Sequence, residues 1–377
     1  MTENRNSATD GGPVRYAVVG LGWFAQVAVL PAFENARESS RLAALVSGDS
    51  KKLTELGERW GVPEERRVGY DGYDELLASG AVDAVYIVLP NHLHRDYTVR
   101  VARAGVHVLC EKPMAVTEEE CRAMIQACEE AGVKLMIAYR LHFEPANLEA
   151  ARIVRSGRIG EPRLYEAVFA NRVTTPDDIR LGPIEEGGGT VYDVGIYCVN
   201  AARYLFRSEP EEVVALSARG DDPRFADCDE TTGAVLRFPG ERLAVFTSTF
   251  GTADRDLFRV LGTEGEIVVE PAFQFNQTLR HRLTVGGETS EEEFEKRDQV
   301  APEIVHFSRS IREDVPPEPG GAEGLADVRI IQAIYRSARE KRAVKLAAVR
   351  GVRYPDTDQE ADLPAPEEQE LVETEAP

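Results

Sequence analysis

The sequence predicts an α/β amino-terminal domain built on a doubly wound parallel sheet. An α+β domain with a large, mostly antiparallel sheet follows it. Three observations carry this expectation. Between residues 14 and 138, short apolar runs alternate with amphipathic helical stretches. Beyond residue 139 the pattern changes to strand-like runs at regular spacing. The length of 377 residues suits two domains better than one.

In order, VRYAVV (14–19) is an apolar run ending in a glycine-rich turn, GLGWFA (20–25). RLAALVSGD (41–49) is a second strand, and SKKLTELGERWG (50–61) has helical spacing at Leu53, Leu56 and Trp60. VDAVYIVLP (82–90) is apolar on both faces, as a central parallel strand must be. HRDYTVRVARAG (94–105) is an amphipathic helix, and VHVLCEKP (106–113) the next strand. Thr117 and Glu120 have capping-box spacing ahead of the helix at 117–132. KLMIAYR (134–140) completes the first sheet. The second domain, 139–349, opens with a helix at 142–160 and continues through seven strand-like runs between 163 and 287. A final amphipathic helix spans 325–341. A polar leader (1–13) and an acidic tail (350–377) are expected to be disordered.

The net charge is −21, and nine acids with no Lys or Arg lie from Asp356 onward. This balance disfavours nucleic acid and anionic membranes as partners, since phosphate contacts need a basic surface. No run approaches the ~18 apolar residues of a membrane span, and the leader lacks the features of a secretory signal. A cytoplasmic location is expected. The five cysteines form no CxxC pair, so neither a disulfide framework nor a zinc site is expected.

Gly20, Gly22 and Ala25 form a GxGxxA turn directly after the first strand. The first glycine permits the tight turn, the second lets backbone approach a pyrophosphate, and the third small residue lets helix and strand pack. Trp23 and Phe24 lie within the same turn. At the end of the second strand, Ser47 and Gly48 stand where an acid would bind the ribose 2′-hydroxyl of NAD. With Lys51 and Lys52 following, a hydroxyl and an ammonium suit a 2′-phosphate, so NADP is favoured over NAD. Asp49 argues the other way if it points inward, and the lysines are equally suited to a solvated first turn. Leu89, Pro90, Asn91 and His94 follow the next strand and are candidates for the cofactor's edge. His94 is also placed to cap the following helix.

Glu111 and Lys112 end a buried strand at Pro113, which removes a ladder donor and holds Lys112 extended. The Lys112–Pro113 bond is a candidate cis bond. An amine at this carboxyl end projects into the crevice where ligands of open parallel sheets bind. Downstream, EEGGGTVYDVGIYCVNAARYLF (185–206) spaces Asp193, Tyr197 and Asn200 at i, i+4 and i+7. A polar stripe on an otherwise apolar helix is costly to bury without a purpose.

Together these segments resemble the Gfo/Idh/MocA family of oxidoreductases over about residues 14–349. GLGWFA, PNHLH, CEKP, AYR, GGGTVYDVGIY and EGLADVRIIQAI occur in that family's order. The likeness is greatest to the branch of glucose–fructose oxidoreductase and NADP-dependent aldose dehydrogenases. It implies a Rossmann domain, then an open-faced sheet domain that assembles into a homodimer or homotetramer. It implies that Lys112, Asp193 and Tyr197 are catalytic, with Tyr197 as the proton-transfer residue and Asp193 orienting the sugar. It matches Ser47 and Lys52 to the 2′-phosphate. Lys112 is expected to share a hydrogen bond with the substrate hydroxyl, and Arg140 and Tyr139 to line the floor beneath the nicotinamide. The implied reaction is oxidation of a cyclic sugar, an aldose at C1, with NADP. Other readings are a trans-dihydrodiol, polyol or inositol dehydrogenase, or a silent cofactor-binding sensor. No metal is implied.

Overall fold

The computed structural model describes residues 12–374. Most of the leader therefore lies outside the described residues. Six strands form the first sheet: β1 (Val14–Val19), β2 (Ser40–Val46), β3 (Arg67–Val68), β4 (Ala84–Ile87), β5 (His107–Glu111) and β6 (Leu135–Ala138). All are parallel, in the order β3-β2-β1-β4-β5-β6. Direction reverses between β1 and β4, which opens a crevice at the strands' carboxyl ends. The period of two assigns the core: Ala17, Val19, Val85, Ile87 and Val108 face one side, and Tyr16, Val18, Tyr86 and Leu109 the other.

The connecting helices are α1 (Leu30–Asn35), α2 (Ser50–Arg59), α3 (Tyr73–Ala78), α4 (His94–Arg103) and α5 (Glu118–Ala131). A π-helical turn at Ala25–Val29 precedes α1. The capping box of Thr117 and Glu120 forms as expected. Helix α3 has too short an apolar period to be read from sequence alone.

The second sheet has nine strands among the described residues. They are β7 (Pro162–Ala170), β8 (Glu212–Ala218), β9 (Thr231–Phe238), β10 (Arg242–Thr249), β11 (Arg255–Gly262), β12 (Gly265–Val269), β13 (Leu279–Val285), β14 (Glu288–Phe294) and β15 (Val344–Lys345). Only the β7–β10 pair is parallel. One face packs on α6 (Pro145–Arg155), α7 (Ile196–Phe206) and α9 (Gly321–Glu340), and the other is open. Strand β14 is not among the expected strands, because its run of glutamates lacks the apolar alternation of a strand. As an edge strand, its exposed charge discourages further pairing.

Two boundaries differ from expectation. Helix α8 (Ala301–Arg312) comes from beyond residue 139, yet Ile304 and Phe307 share a core with Tyr16, Val18 and Leu45. The amino-terminal domain therefore borrows one covering helix from the later chain. The tail is also not a free acidic segment. Val372 is 3% exposed and exchanges two hydrogen bonds with the side chain of buried Gln26, at 2.8 and 3.0 Å. Leu363 accepts from the Asp298 amide at 3.1 Å, and Glu370 from Arg59 at 2.6 Å. Composition suggested disorder, but one apolar anchor and a few hydrogen bonds to the strap's backbone, from Gln26, Arg59 and Asp298, hold it in place.

Candidate active site

The carboxyl ends of the parallel strands and the start of α7 meet at one cleft. Gly20 has φ +94°, and a Cβ there would collide with the Val88 carbonyl. This glycine lets β1 turn tightly against the β4 loop. At Gly22 a Cβ would meet nothing within 4 Å, so the second glycine borders open space. A backbone cradle of this form fits a dinucleotide pyrophosphate.

Asp49 turns onto its own helix, accepting from the amides of Lys51 and Lys52 at 2.9 and 3.1 Å. This cap accounts for the carboxylate without a ribose. Ser47 is buried and accepts from the Asp49 amide at 3.2 Å, which leaves its hydroxyl proton to donate. Lys51 pairs with Glu373 of the strap at 2.5 Å. Gly48 packs under the Tyr70 ring, a residue that the sequence did not single out.

The β4 loop corrects one expectation. His94 is fully buried, with Nδ1 2.8 Å from the Pro113 carbonyl and Nε2 2.8 Å from the Leu89 carbonyl. Burial holds its pKa below the usual value. The ring ties the Leu89–Pro90 turn to the strand end at Pro113 and presents no free nitrogen to a cofactor. Asn91 donates through Nδ2 to the Gly187 carbonyl at 2.7 Å, joining the two domains.

The Lys112–Pro113 bond is cis. Glu111 turns to the opposite side of the sheet, where the Tyr86 hydroxyl donates to it at 2.8 Å. Burial raises its pKa, and that of Glu303 nearby rises further. Lys112 Nζ donates to the Asp193 carbonyl at 2.9 Å, lies 3.4 Å from Asp193 Oδ1, and sits 4.7 Å from the Tyr197 ring centre. Burial disfavours its charge, but Tyr197, Asp193 and Glu111 outweigh that and raise its pKa.

Arg140 stacks on Tyr197 at 4.9 Å and on Phe275 at 5.5 Å. Its guanidinium donates to Gln299 and to the Phe273 carbonyl. Phe275 also meets Trp23 and Phe24, at 5.9 and 5.7 Å between ring centres. One aromatic residue of the second domain thus joins the glycine-rich turn to the arginine under Tyr197. Tyr139 packs on His142 at 5.4 Å within the core.

The polar stripe divides between α7 and the π-helical turn Val191–Gly195 that leads into it and carries Asp193. Asp193 and Tyr197 reach the cleft, whereas Asn200 bonds His142 at 2.8 Å and Asp327 at 2.9 Å in the interior. The sequence reading missed Phe273, Phe275, Gln299 and Arg180. Arg180 Nη1 lies 3.7 Å from Asp193 Oδ2. These four come from irregular segments that carry no periodic signal. Among the described residues no cluster of three or more His, Cys, Asp or Glu is arranged to hold a metal.

This geometry coincides with two family matches. Residues 14–139 match the model described as "Oxidoreductase family, NAD-binding Rossmann fold", and residues 147–268 the "GFO/IDH/MocA C-terminal domain". The chain belongs to the Gfo/Idh/MocA oxidoreductase family.

Within this family it is similar to D-xylose 1-dehydrogenase [NADP(+)] of Haloarcula marismortui, with 36% identity over 90% of this chain and 95% of that one. D-xylose 1-dehydrogenase (NADP(+)) 2 of Haloferax volcanii is 34% identical over 88% of this chain and 99% of that one. The crystal structure of aldose-aldose oxidoreductase from Caulobacter crescentus, complexed with glycerol, superposes with TM-score 0.85 and 41% identity. It covers 89% of this chain and 100% of that chain.

Proposed function

We propose that the protein is an NADP-dependent oxidoreductase that oxidises a cyclic sugar, an aldose, at C1 to the lactone. The observation that carries this reading is the meeting of Lys112, Asp193, Tyr197 and Arg140 at the carboxyl edge of the nucleotide-binding sheet. The NADP-dependent xylose dehydrogenases and the aldose-aldose oxidoreductase described above support the substrate class.

Gly20 and Gly22 would hold the pyrophosphate, and Ser47 with Lys52 the 2′-phosphate. When bound, the nicotinamide supplies hydride acceptance. The protein's own part is the proton. Tyr197 takes the proton from the C1 hydroxyl as general base. Lys112 and Arg140 hold positive charge against its ring, which stabilises the phenolate form that accepts that proton. Asp193 accepts a hydrogen bond from a neighbouring sugar hydroxyl and orients the ring. Lys112 reaches Asp193 rather than a free space, so it also braces that acid.

Among the described residues no helix is long and apolar enough to cross a membrane. We read the location as cytoplasmic, a reading supported by five buried, unpaired cysteines. Val214, Leu216, Val235 and Leu243 are exposed on the open face of β8–β10. Their apolar surface supports a homodimer or homotetramer joined through that sheet.

The test is a panel of aldoses, polyols and dihydrodiols, followed by absorbance of the reduced cofactor. Reduction of NADP by an aldose, with lactone as product, is the expected result. Turnover of only polyols or dihydrodiols, or of nothing, would reject it.

A further inference from the structure

Arg180 lies on the segment between β7 and α7, in a short 3₁₀ turn at Ile179–Leu181. Its backbone is fixed on both sides: Asp178 accepts from its amide at 2.9 Å, and its carbonyl accepts from the Gly189 amide at 2.8 Å. The triple glycine makes this approach possible. A Cβ on Gly188 would collide with the Gly182 carbonyl, and one on Gly189, at φ +93°, would meet Asp229 Oδ1 at 2.5 Å. Any larger side chain there would lift the turn away from the start of the catalytic helix.

The Arg180 side chain is 15% exposed. Asp178 engages Nε at 2.9 Å and Nη2 at 2.7 Å, and Phe250 lies 5.8 Å below. Nη1 remains, facing Asp193 Oδ2 at 3.7 Å. That spacing gives ionic attraction but is too long for a hydrogen bond. On the other side, Lys112 holds the Asp193 main-chain carbonyl and approaches Oδ1. An anionic acceptor and a cationic donor therefore stand side by side at the cleft without satisfying each other. A hydroxyl, which both donates and accepts, can engage both atoms at this partly exposed edge.

From this geometry we infer that Arg180 is a specificity-determining residue, which with Asp193 reads one ring hydroxyl of a neutral sugar. The inference rests on the sugar reading above. Charge balance names the substrate class. Lys112 and Arg180 are opposed by Asp178 and Asp193, and Arg140 spends its guanidinium on Gln299 and the Phe273 carbonyl beneath Tyr197, so none of the three presents an unopposed charge to a sugar phosphate or a uronate.

The experiment compares the parent enzyme's best aldose with its singly deoxygenated analogues, then repeats the series with Arg180→Met and Arg180→Lys. In the parent, one analogue should lose about 10–100-fold in kcat/KM, because the site's polar atoms are then left unpaired. Arg180→Met should lose a similar factor on the intact sugar, mainly through KM. It should no longer distinguish that sugar from that analogue, and its NADP affinity should match the parent's. Arg180→Lys should recover part of the discrimination. If the parent uses every deoxy analogue as well as the intact sugar, the inference falls without any variant. Full discrimination retained by Arg180→Met overturns it too, as does preference for a sugar phosphate or uronate. If no aldose reduces NADP, the functional reading fails and this inference fails with it.

Discussion

The Lys112 ammonium lies 4.7 Å from the centre of the Tyr197 ring, although the two residues belong to different sheets' supporting elements and are far apart in the chain. The cation does not simply neutralise the phenol. It is anchored on the Asp193 carbonyl, at the helix turn just before Tyr197. Replacing either residue should therefore disturb the same proton transfer.

Tyr197→Phe keeps the ring and its stacking on Arg140 but removes the hydroxyl proposed as the proton acceptor. Turnover on the best sugar should fall by about 10²–10⁴, with NADP affinity nearly unchanged. Lys112→Met should slow turnover as well, and the two losses should combine to less than their product. Parental turnover by Tyr197→Phe would remove Tyr197 from the proton step. Neither His94 nor His142 could then replace it in this geometry, since both ring nitrogens of each are already bonded.

The proposed contact with the 2′-phosphate falls to Lys52, because the strap residue Glu373 already occupies Lys51. Lys52→Ala should weaken NADP binding by about 1.5–3 kcal/mol, the range for a hydrogen bond to a charged group. NAD binding should hardly change. Titration of both dinucleotides checks this, and an equal loss for both contradicts it.

A third prediction concerns pH. His142 Nδ1 lies 2.9 Å from a Glu318 carboxylate oxygen and Nε2 2.8 Å from Asn200 Oδ1, two acceptors that favour the charged ring. Burial opposes that charge, but Glu318 outweighs it and raises the His142 pKa above 6.5. For Glu318 burial acts upward, yet His142 outweighs it and lowers the pKa below 4.5. The raised histidine contributes fully below its unfolded value and loses that contribution as pH rises through the folded one. The lowered glutamate contributes above its unfolded value and loses that contribution as pH falls through the folded one. The pair should therefore stabilise most between pH 4.5 and 6.5. His142→Gln should cost about 3–5 kcal/mol in that window, as for one partner removed from a buried pair. The difference in Tm from the parent should shrink in alkali. A difference that stays constant from acid to alkaline pH would show the pair to be uncharged.

The strap yields a fourth prediction. Truncation after Tyr354 removes Val372 from its site beside Gln26, along with the bonds at Leu363 and Glu370. Burial of one such side chain is worth about 1.5–3 kcal/mol, so the truncated protein should melt at a lower temperature. An unchanged Tm would show that these contacts contribute nothing.

Much of the first domain was legible from residues alone. Its strands are buried on both faces, so they read as continuous apolar runs, and the glycine turn and capping box are local devices with local signatures. Lys112, Asp193 and Tyr197 stood out as candidates because a charge at a strand end, or a polar stripe on an apolar helix, conflicts with its surroundings, and the family resemblance supplied the roles expected of them. Tertiary structure decided what depends on contacts distant in sequence. Helix α8 packs back onto the first sheet, Asn200 turns inward to His142, and His94 spends both nitrogens on backbone carbonyls. The acidic tail shows the same division. Its composition disfavours a core of its own, yet a single valine finds a site on a surface that another part of the chain has already built. Periodicity records which face of an element is buried; it holds no record of which distant residue covers that face.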